Sequence, residues 1–376
     1  MRVVIQIVPQ VSPVVCGVGD YAALVGRRME EQEPGLRCGY VACGYEHAEH
    51  AQRPLQRNLT GACDAARMWS AVQELASEIN GDSDGPTLVV HYSGYGYSQS
   101  GAPGWLAEAL ERRPVQFATL QVVTMFHELF ATGRPWQRAF WNSGRQRDVA
   151  SRIARASNAL MTNREQSARW LEVVSQRSTG SVPSLPVPSN VGEPESVAAW
   201  ETRPPRAVAF GGRHNKRFLL GETATTSAAL LKEHGISELI DVGERVAIPR
   251  DIFKARGVRV EQLGYCDHHR VSELLLSSRI GFLDYPFDFL SKSGVLAAYA
   301  AHGLAILNAA RRKDGRDDRL PVHSFEELPN RTSSAPIDLA AAAERAFQWY
   351  KGHGSAAHAR TILQLATASA SPVHAC

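Results

Sequence analysis

Four apolar runs of strand length in this chain each end in a short cluster of glycine, histidine or basic residues. VVIQIVP leads into Cys16, Gly17, Val18, Gly19, Asp20 and Tyr21, and TLVVHY leads into Ser93, Gly94, Tyr95, Gly96 and Tyr97. VVTMF leads into His127 and Glu128, and AVAF into Gly211, Gly212 and Arg213. In open parallel sheets the carboxyl ends of the strands face the ligand crevice, so polar groups gathered at such tips read as a binding site. Four tips in one chain predict a single cleft lined by all of them.

The runs alternate with helix-like stretches. In the first half strands are expected at Val3 to Val8, Leu36 to Val41, Thr87 to His91 and Leu120 to Phe126, with helices near Asp20 to Glu31, Ala65 to Asn80, Gly104 to Arg112 and on through Ala156. Such alternation predicts a parallel sheet wrapped by helices on both faces. A proline- and serine-rich stretch from Ser178 to Pro205 then interrupts the pattern, which restarts with strands at Ala207 to Phe210, Leu239 to Val242, Val258 to Gln262, Ile280 to Asp284 and Ala305 to Asn308. The expected organisation is an α/β domain over 1–180, a connection over 181–206, a second α/β domain over 207–340, and C-terminal helices and tail over 341–376. With 376 residues, each half can bury its own core.

The opening MRVVIQIVPQ is broken by Gln6 and stopped by Pro9, short of a signal-peptide core or a membrane span. Six cysteines without framework spacing fit reduced thiols in a cytoplasmic protein. Cys266 beside His268 and His269 lacks the paired spacing of a metal site, and no metal is expected. The formal net charge of +3 is too small to argue for nucleic acid. The basic charge is concentrated instead: Arg134, Arg138, Arg145, Arg147, Arg152, Arg155, Arg164 and Arg169 crowd one stretch, interleaved with Trp136, Phe140 and Trp141. That pattern suits an anionic membrane surface or a lipid-diphosphate acceptor, and equally suits helices with solvated arginine faces.

Gly17 to Ala22 fits G-x-G-x-x-A, the dinucleotide fingerprint. That fingerprint runs from strand almost directly into its first glycine, whereas PQVSPVVC intervenes here, and no acidic residue ends the Leu36 strand. A flexible glycine hinge opening a helix at Asp20, with its first amides toward an anion, fits better; a plain turn with an N-cap is the simpler alternative. His127 can orient or deprotonate a hydroxyl, with Glu128 tuning it or acting as base, and a merely hydrogen-bonded histidine meets the same spacing. Arg213, Lys216 and Arg217 can neutralise a departing diphosphate, or form a solvated basic turn. Ser291, Lys292, Ser293 and Gly294, at an expected helix start, make a second anion site or an ordinary serine cap. Tyr95 and Tyr97 can stack on an acceptor sugar or pack within their glycine loop.

Together these residues resemble the GT-B glycosyltransferases, in particular the retaining, nucleotide-sugar-dependent family 4 (group 1) enzymes. The resemblance spans nearly the whole chain. It is carried by GVGDYA, the histidine of FHE, the Gly-Arg to Lys pattern, LGYCDHHRVSELL and SGVLAAYAAHGLAIL. It implies two Rossmann-like domains facing a cleft, the N-terminal one holding the acceptor and the C-terminal one a nucleotide-diphosphate sugar, with no other cofactor. The implied activity is metal-independent transfer of a hexosyl-like group to a saccharide or lipid-linked acceptor in polysaccharide or glycoconjugate assembly, in the cytoplasm or at the inner membrane face. By resemblance, Gly17 and Gly19 approach donor phosphates and acceptor, beside Asp20; His127 lies near the transferred sugar. Arg213 and Lys216, with Arg217 as substitute, hold the diphosphate, and Gly264 and Tyr265 lie beside the nucleobase. One departure matters: the family's two glutamates eight positions apart fall at Leu290 and Ala298, which opens stereochemistry and donor choice. A sugar-nucleotide epimerase of the same plan and a non-catalytic nucleotide-sugar-binding subunit are the alternatives. Asp82-Ser83-Asp84, the one D-x-D, precedes a strand instead of ending one, which speaks against a metal site there.

Overall fold

A computed structural model describes residues 2–11, 14, 16–45, 55–59, 63–80, 85–131, 138–310, 321–324 and 338–368. The D-x-D at Asp82 to Asp84 and the basic stretch's Arg134 and Trp136 lie outside the described residues, as do the side chains of Arg138 and Phe140. The chain divides into one unit of residues 1–185 with 355–376, and another of 186–354.

The first unit runs β1 (Arg2–Val8), α1 (Gly17–Gln32), β2 (Leu36–Ala42), β3 (Gln56–Asn58), α2 (Ala65–Asn80), β4 (Thr87–Tyr92), α3 (Gly94–Tyr97), α4 (Gly104–Glu111), β5 (Val122–Phe126), α5 (Arg138–Ala156), β6 (Ala159–Thr162) and α6 (Glu165–Val174). The second runs β7 (Arg206–Gly211), α7 (Ala224–Glu233), β8 (Glu238–Gly243), α8 (Arg250–Lys254), β9 (Arg259–Gly264), α9 (His268–Leu276), β10 (Ile280–Leu283), α10 (Gly294–Ala301), β11 (Ala305–Asn308), β12 (His323–Ser324) and α11 (Leu339–Lys351). The last helix, α12 (Ser355–Ala368), returns to the first unit and packs on α1.

Each unit holds a six-stranded parallel sheet, in the orders β3-β2-β1-β4-β5-β6 and β12-β11-β10-β7-β8-β9. Counted from each unit's first strand, both are the doubly wound order 3-2-1-4-5-6. Central strands buried on both faces explain the continuous apolar runs: every residue of β4 and β5 is buried. The helices cover these faces with single apolar stripes, as in α2, where Met68, Trp69, Val72 and Leu75 recur at helical spacing and join the core above the sheet.

In this order the chain reverses direction between the first and fourth strands, and there the central ladder must fork. In the first sheet β1 and β4 pair as far as Ile7 with Val90. At the fork the Tyr97 hydroxyl, on α3, lies 3.0 Å from the carbonyls of both Ile7 and His91. In the second sheet β7 and β10 pair as far as Ala209 with Phe282. The Tyr299 hydroxyl, on α10, accepts from Phe210 N–H at 2.8 Å and donates to the Phe282 carbonyl at 3.0 Å. Each unit therefore caps its fork with a tyrosine from the helix that follows its fourth strand.

The proline- and serine-rich stretch is ordered along its length. Thr162 N–H donates to the Pro183 carbonyl and Leu185 N–H to the Thr162 carbonyl, which lengthens the edge beside β6. In the second unit the buried Arg203 guanidinium donates to the carbonyls of Ala198, Ser278 and His302. The division accordingly falls between residues 185 and 186, not across 181–206, and the C-terminal helices are split between the units. Among the described residues no helix is long and apolar enough to cross a membrane.

Tyr299→Phe removes the hydroxyl that accepts Phe210 N–H at the fork, so a loss of about 1–3 kcal/mol is expected. Urea denaturation of the variant measures it. An unchanged midpoint contradicts the capping role.

Candidate functional site

At the first fork the glycine loop is shorter than the spacing suggests. α1 opens at Gly17, with Cys16 as its cap residue, so both glycines sit within the first turn and Asp20 is an exposed first-turn residue instead of the helix start. Asp20 N–H already bonds the Cys16 carbonyl at 2.8 Å. A Cβ at Gly19 would collide with the Gln10 carbonyl, whereas one at Gly17 would meet nothing within 4 Å. Gly19 therefore lets the loop after β1 close onto the helix.

His127 follows β5, is 8% exposed, and is held by its own N–H to the Tyr92 carbonyl at 2.9 Å. Its Nε2 lies 3.2 Å from Nδ1 of His91, a wholly buried residue near the end of β4. Nε2 of His91 lies 2.8 Å from Oε1 of buried Gln6 on β1. Tyr21 of α1 packs edge-on to both rings, with centroids 4.8 Å from His127 and 5.6 Å from His91, and its hydroxyl meets Nδ1 of His358 on α12 at 2.7 Å. Burial lowers His91 to a pKa of about 3 and pushes the Tyr21 hydroxyl up. Sequence reasoning missed this chain. Its signal was a polar residue inside each apolar run, Gln6 in VVIQIV and His91 in TLVVHY, because a buried polar group demands a partner.

Glu128 is exposed and receives the Ser93 hydroxyl at 3.4 Å. Tyr95 is partly exposed, its hydroxyl accepting from Gln146 Nε2 at 3.0 Å. Tyr97 does not stack on a ligand: it is 2% exposed, and its hydroxyl is committed to the fork. In the arginine-rich stretch, Arg152 pairs with Glu111 at 2.6 Å, Arg169 with Glu165 at 3.7 Å, and Arg147 lies 4.5 Å over the Phe130 ring, while Trp141 is exposed.

In the second unit the fork is flanked by the tips of β7 and β10. Beyond β7, Arg213 is largely exposed and grips Glu244, by its backbone N–H at 3.1 Å and its Nε at 3.0 Å, which holds the Glu244 carboxyl below its usual range. Arg217 is exposed and carries no ion pair among the described residues. Lys216 is different. It is 0% exposed, and its Nζ donates to Asp241 Oδ1 at 2.6 Å and to the Val242 carbonyl at 3.0 Å, with Gln262 Nε2 bonding the other Asp241 oxygen at 2.9 Å. The expectation that Lys216 holds the diphosphate is corrected: its charge is already neutralised beneath the sheet's carboxyl edge.

Beyond β10, Ser293 caps α10 by accepting Leu296 N–H at 3.1 Å, next to half-buried Lys292 and Gly294, and the Ser291 carbonyl receives Val187 N–H at 2.9 Å. The positions where the resembled family carries glutamates are buried apolar ones, Leu290 and Ala298. Three groups the sequence did not single out gather at this edge. Burial raises the Asp284 carboxyl above its ordinary range, Glu222 adds to the rise and His214 opposes it. At the tip of β9, Gly264 has φ +72° next to Arg245, and Tyr265 is 83% exposed.

No family model matches the chain, and no curated protein matches it in sequence. Among solved structures it is similar to an alpha-glucosyltransferase in complex with UDP-glucose and DNA containing an abasic site, at 11% identity and a TM-score of 0.56, covering 98% of this chain and 99% of that one. A glycosyltransferase from Rickettsia africae ESF-5 matches at 11% identity and 0.56, covering 98% and 99%. The fold is GT-B. A protein described as a UDP-N-acetylglucosamine 2-epimerase from Listeria monocytogenes shares this GT-B architecture at 12% identity and 0.52, covering 96% and 94%. At such identities the likeness carries the fold alone.

Two outcomes follow from these buried charges. Lys216→Ala leaves Asp241 uncompensated, so about 3–5 kcal/mol of the second unit's stability is expected to be lost, read by urea or thermal unfolding; a fully stable variant would contradict the buried pair. His91 at about 3 and His302, lowered by burial to about 4, both lie below the ordinary histidine value. The unfolded chain therefore takes up protons below about pH 6.5 that the folded chain refuses, and stability falls as pH drops through that window by about 1.4 kcal/mol per unit per histidine. Urea midpoints between about pH 7.5 and about pH 5 test it, and His91→Asn should flatten the first unit's slope.

Proposed function

We propose that the chain transfers a glycosyl group from a nucleoside-diphosphate sugar to a hydroxyl of a saccharide or lipid-linked acceptor. The observation that supports this best is the second fork within a GT-B chain. Glycine-flanked cationic residues stand on its β7 side, and the capped start of α10 stands on its β10 side. The amides at a helix start, the exposed Arg217 guanidinium and the Arg213 guanidinium paired with exposed Glu244 suit a diphosphate. In the transfer, the acceptor oxygen bonds to the anomeric carbon and loses its proton while the bond from that carbon to the diphosphate breaks. Negative charge then grows on the leaving group, and Arg213, Arg217, Lys292 and the first amides of α10 are the groups assigned to it. Lys216 acts on this reading only by holding Asp241. His127 is assigned to the transferred sugar, either orienting it or accepting a proton. Gly264 and Tyr265, with Arg245, are assigned to the nucleobase.

The epimerase-like neighbour supports a second reading, in which the same donor is isomerised without an acceptor. A thermal-shift series with UDP, GDP, ADP, TDP and CMP separates these readings from a scaffold without a donor site. One nucleotide at a hundred times its Kd should add roughly 2.7 kcal/mol of apparent stability, and Arg217→Ala should weaken that shift. Proton NMR of the matching sugar nucleotide then decides: release of nucleotide only when acceptor is added supports transfer, and a changed donor sugar without acceptor supports epimerisation. No shift with any nucleotide overturns both.

A further inference from the structure

Two thiols of the first unit meet beside its sheet, and neither belongs to the groups assigned to transfer. Cys43 follows β2, is wholly buried, and its N–H donates to the Val8 carbonyl at 3.0 Å. β3 runs alongside β2, and the pairing continues past its end, where Leu59 N–H donates to the Ala42 carbonyl at 2.8 Å. Cys63 is thereby brought back to the residue after Ala42. Its Sγ lies 3.8 Å from the Leu59 carbonyl, and its side chain packs on the core cluster that contains Cys43. The two sulfurs are hydrogen-bonded to each other and are not joined by a disulfide. We propose that Cys63 and Cys43 are a peroxide-reactive pair that closes reversibly to a disulfide between the end of β2 and the start of α2.

Position gives the two sulfurs different parts. Cys63 is half-buried and stands directly before Asp64, which accepts Arg67 N–H at 2.9 Å at the start of α2. A thiol at a helix N-terminus near a guanidinium favours its thiolate, the form that attacks peroxide. Here the Cys43 S–H holds the Cys63 thiol below its ordinary range and the Arg67 charge assists, while burial and Asp64 oppose them. Burial raises the Cys43 thiol, so Cys43 keeps its proton until its partner is oxidised. In the first step the Cys63 thiolate bonds to one oxygen of hydrogen peroxide and the O–O bond breaks. The departing hydroxide takes up the proton that Cys63 gave up and becomes water, which leaves Cys63 as a sulfenic acid. In the second step the Cys43 sulfur bonds to the Cys63 sulfur, the S–O bond breaks, and the hydroxyl departs as water with the Cys43 proton. Two thiols and one peroxide thus give one disulfide and two waters; the sulfurs lose two electrons and the peroxide gains them. The new bond braces an end of β2 that already holds the chain after β1, since Gly44 N–H donates to the Pro9 carbonyl at 2.7 Å.

The test uses the full-length chain, reduced with dithiothreitol, freed of it, treated with hydrogen peroxide while folded and stopped with catalase. The intact mass should fall by that of two hydrogens, and digestion should yield the Cys43 peptide linked to the Cys63 peptide. Dithiothreitol should reverse both changes. In Cys43→Ser the reaction should halt at a Cys63 sulfenic acid, which dimedone traps. In Cys63→Ser the Cys43 side chain should stay a thiol, and the chain should consume peroxide about tenfold more slowly. A folded chain whose Cys63 stays a thiol, or whose Cys63 is trapped by dimedone while Cys43 stays unlinked, overturns the inference. So does a Cys63 bonded to Cys16, the third thiol near Tyr97, or to a second copy of the chain. The unsubstituted chain decides all of these, even if a variant fails to fold. None of the readouts needs a sugar donor, so the transfer reading can fail without touching this pair.

Discussion

A parallel sheet wound in both directions from its centre must part its two central strands at one end, and the backbone groups freed there lose the ladder that satisfied them. In water they would be hydrated; at the edge of a packed domain they need a substitute or the fork collapses. Both units supply it with a phenolic hydroxyl, Tyr97 in the first and Tyr299 in the second, each delivered by the helix after the fourth strand. The tips beyond the fork can then diverge and present side chains and amides, because the last shared backbone groups are already bonded. The groups assigned to the diphosphate lie on the tips of the second fork, so Tyr299 sets how far that crevice reaches into its sheet.

The same logic governs the buried polar residues beneath the tips. Lys216 and Asp241 lie at the ends of a hydrogen-bonded pair that reaches a backbone carbonyl and Gln262, a closed arrangement with no spare charge to offer. The Gln6, His91 and His127 chain ends where β5 gives way to a loop. Each network contributes rigidity where it lies, the first beneath a strand tip and the second at the start of a loop. The difference separates two sets of residues that look alike as letters in a chain.

Much of the architecture was legible in the residues, because strands buried on both faces leave runs such as VVIQIV and TLVVHY that no exposed element would carry. What escaped were elements whose signals are weak for physical reasons. β3 has three residues at a sheet edge, β12 has two, and β6 reads ALMT, which serves a helix equally well. The candidate site was legible by position and less so by direction. Lys216 lies one turn beyond a strand tip in a run of cations, and only packing shows that its ammonium turns inward. GVGD reads as a loop because glycine disfavours helix, yet the close approach of Gln10 demands glycine inside the first turn. His91 was hidden by its own success as a core residue, since a satisfied histidine in a strand looks like any other interruption.

The return of α12 to the first unit bears on how the chain reaches this state. Tyr21 and His358, which meet through a hydroxyl and a ring nitrogen, are 337 positions apart, so the first unit cannot be completed until almost all the chain has been made. The cost of closing so long a loop grows only with the logarithm of its length, yet it delays the contact. The second unit shortens the wait by fastening its own ends: Ser189 N–H donates to the Tyr350 hydroxyl at 2.7 Å, and that hydroxyl donates to Glu193 at 2.6 Å. Once that clasp has formed, the intervening residues 186–354 behave toward the first unit as a short connection, and α12 is delivered near the place where the chain left. Order of assembly is thus written into the contact of a tyrosine with a glutamate far from it in sequence.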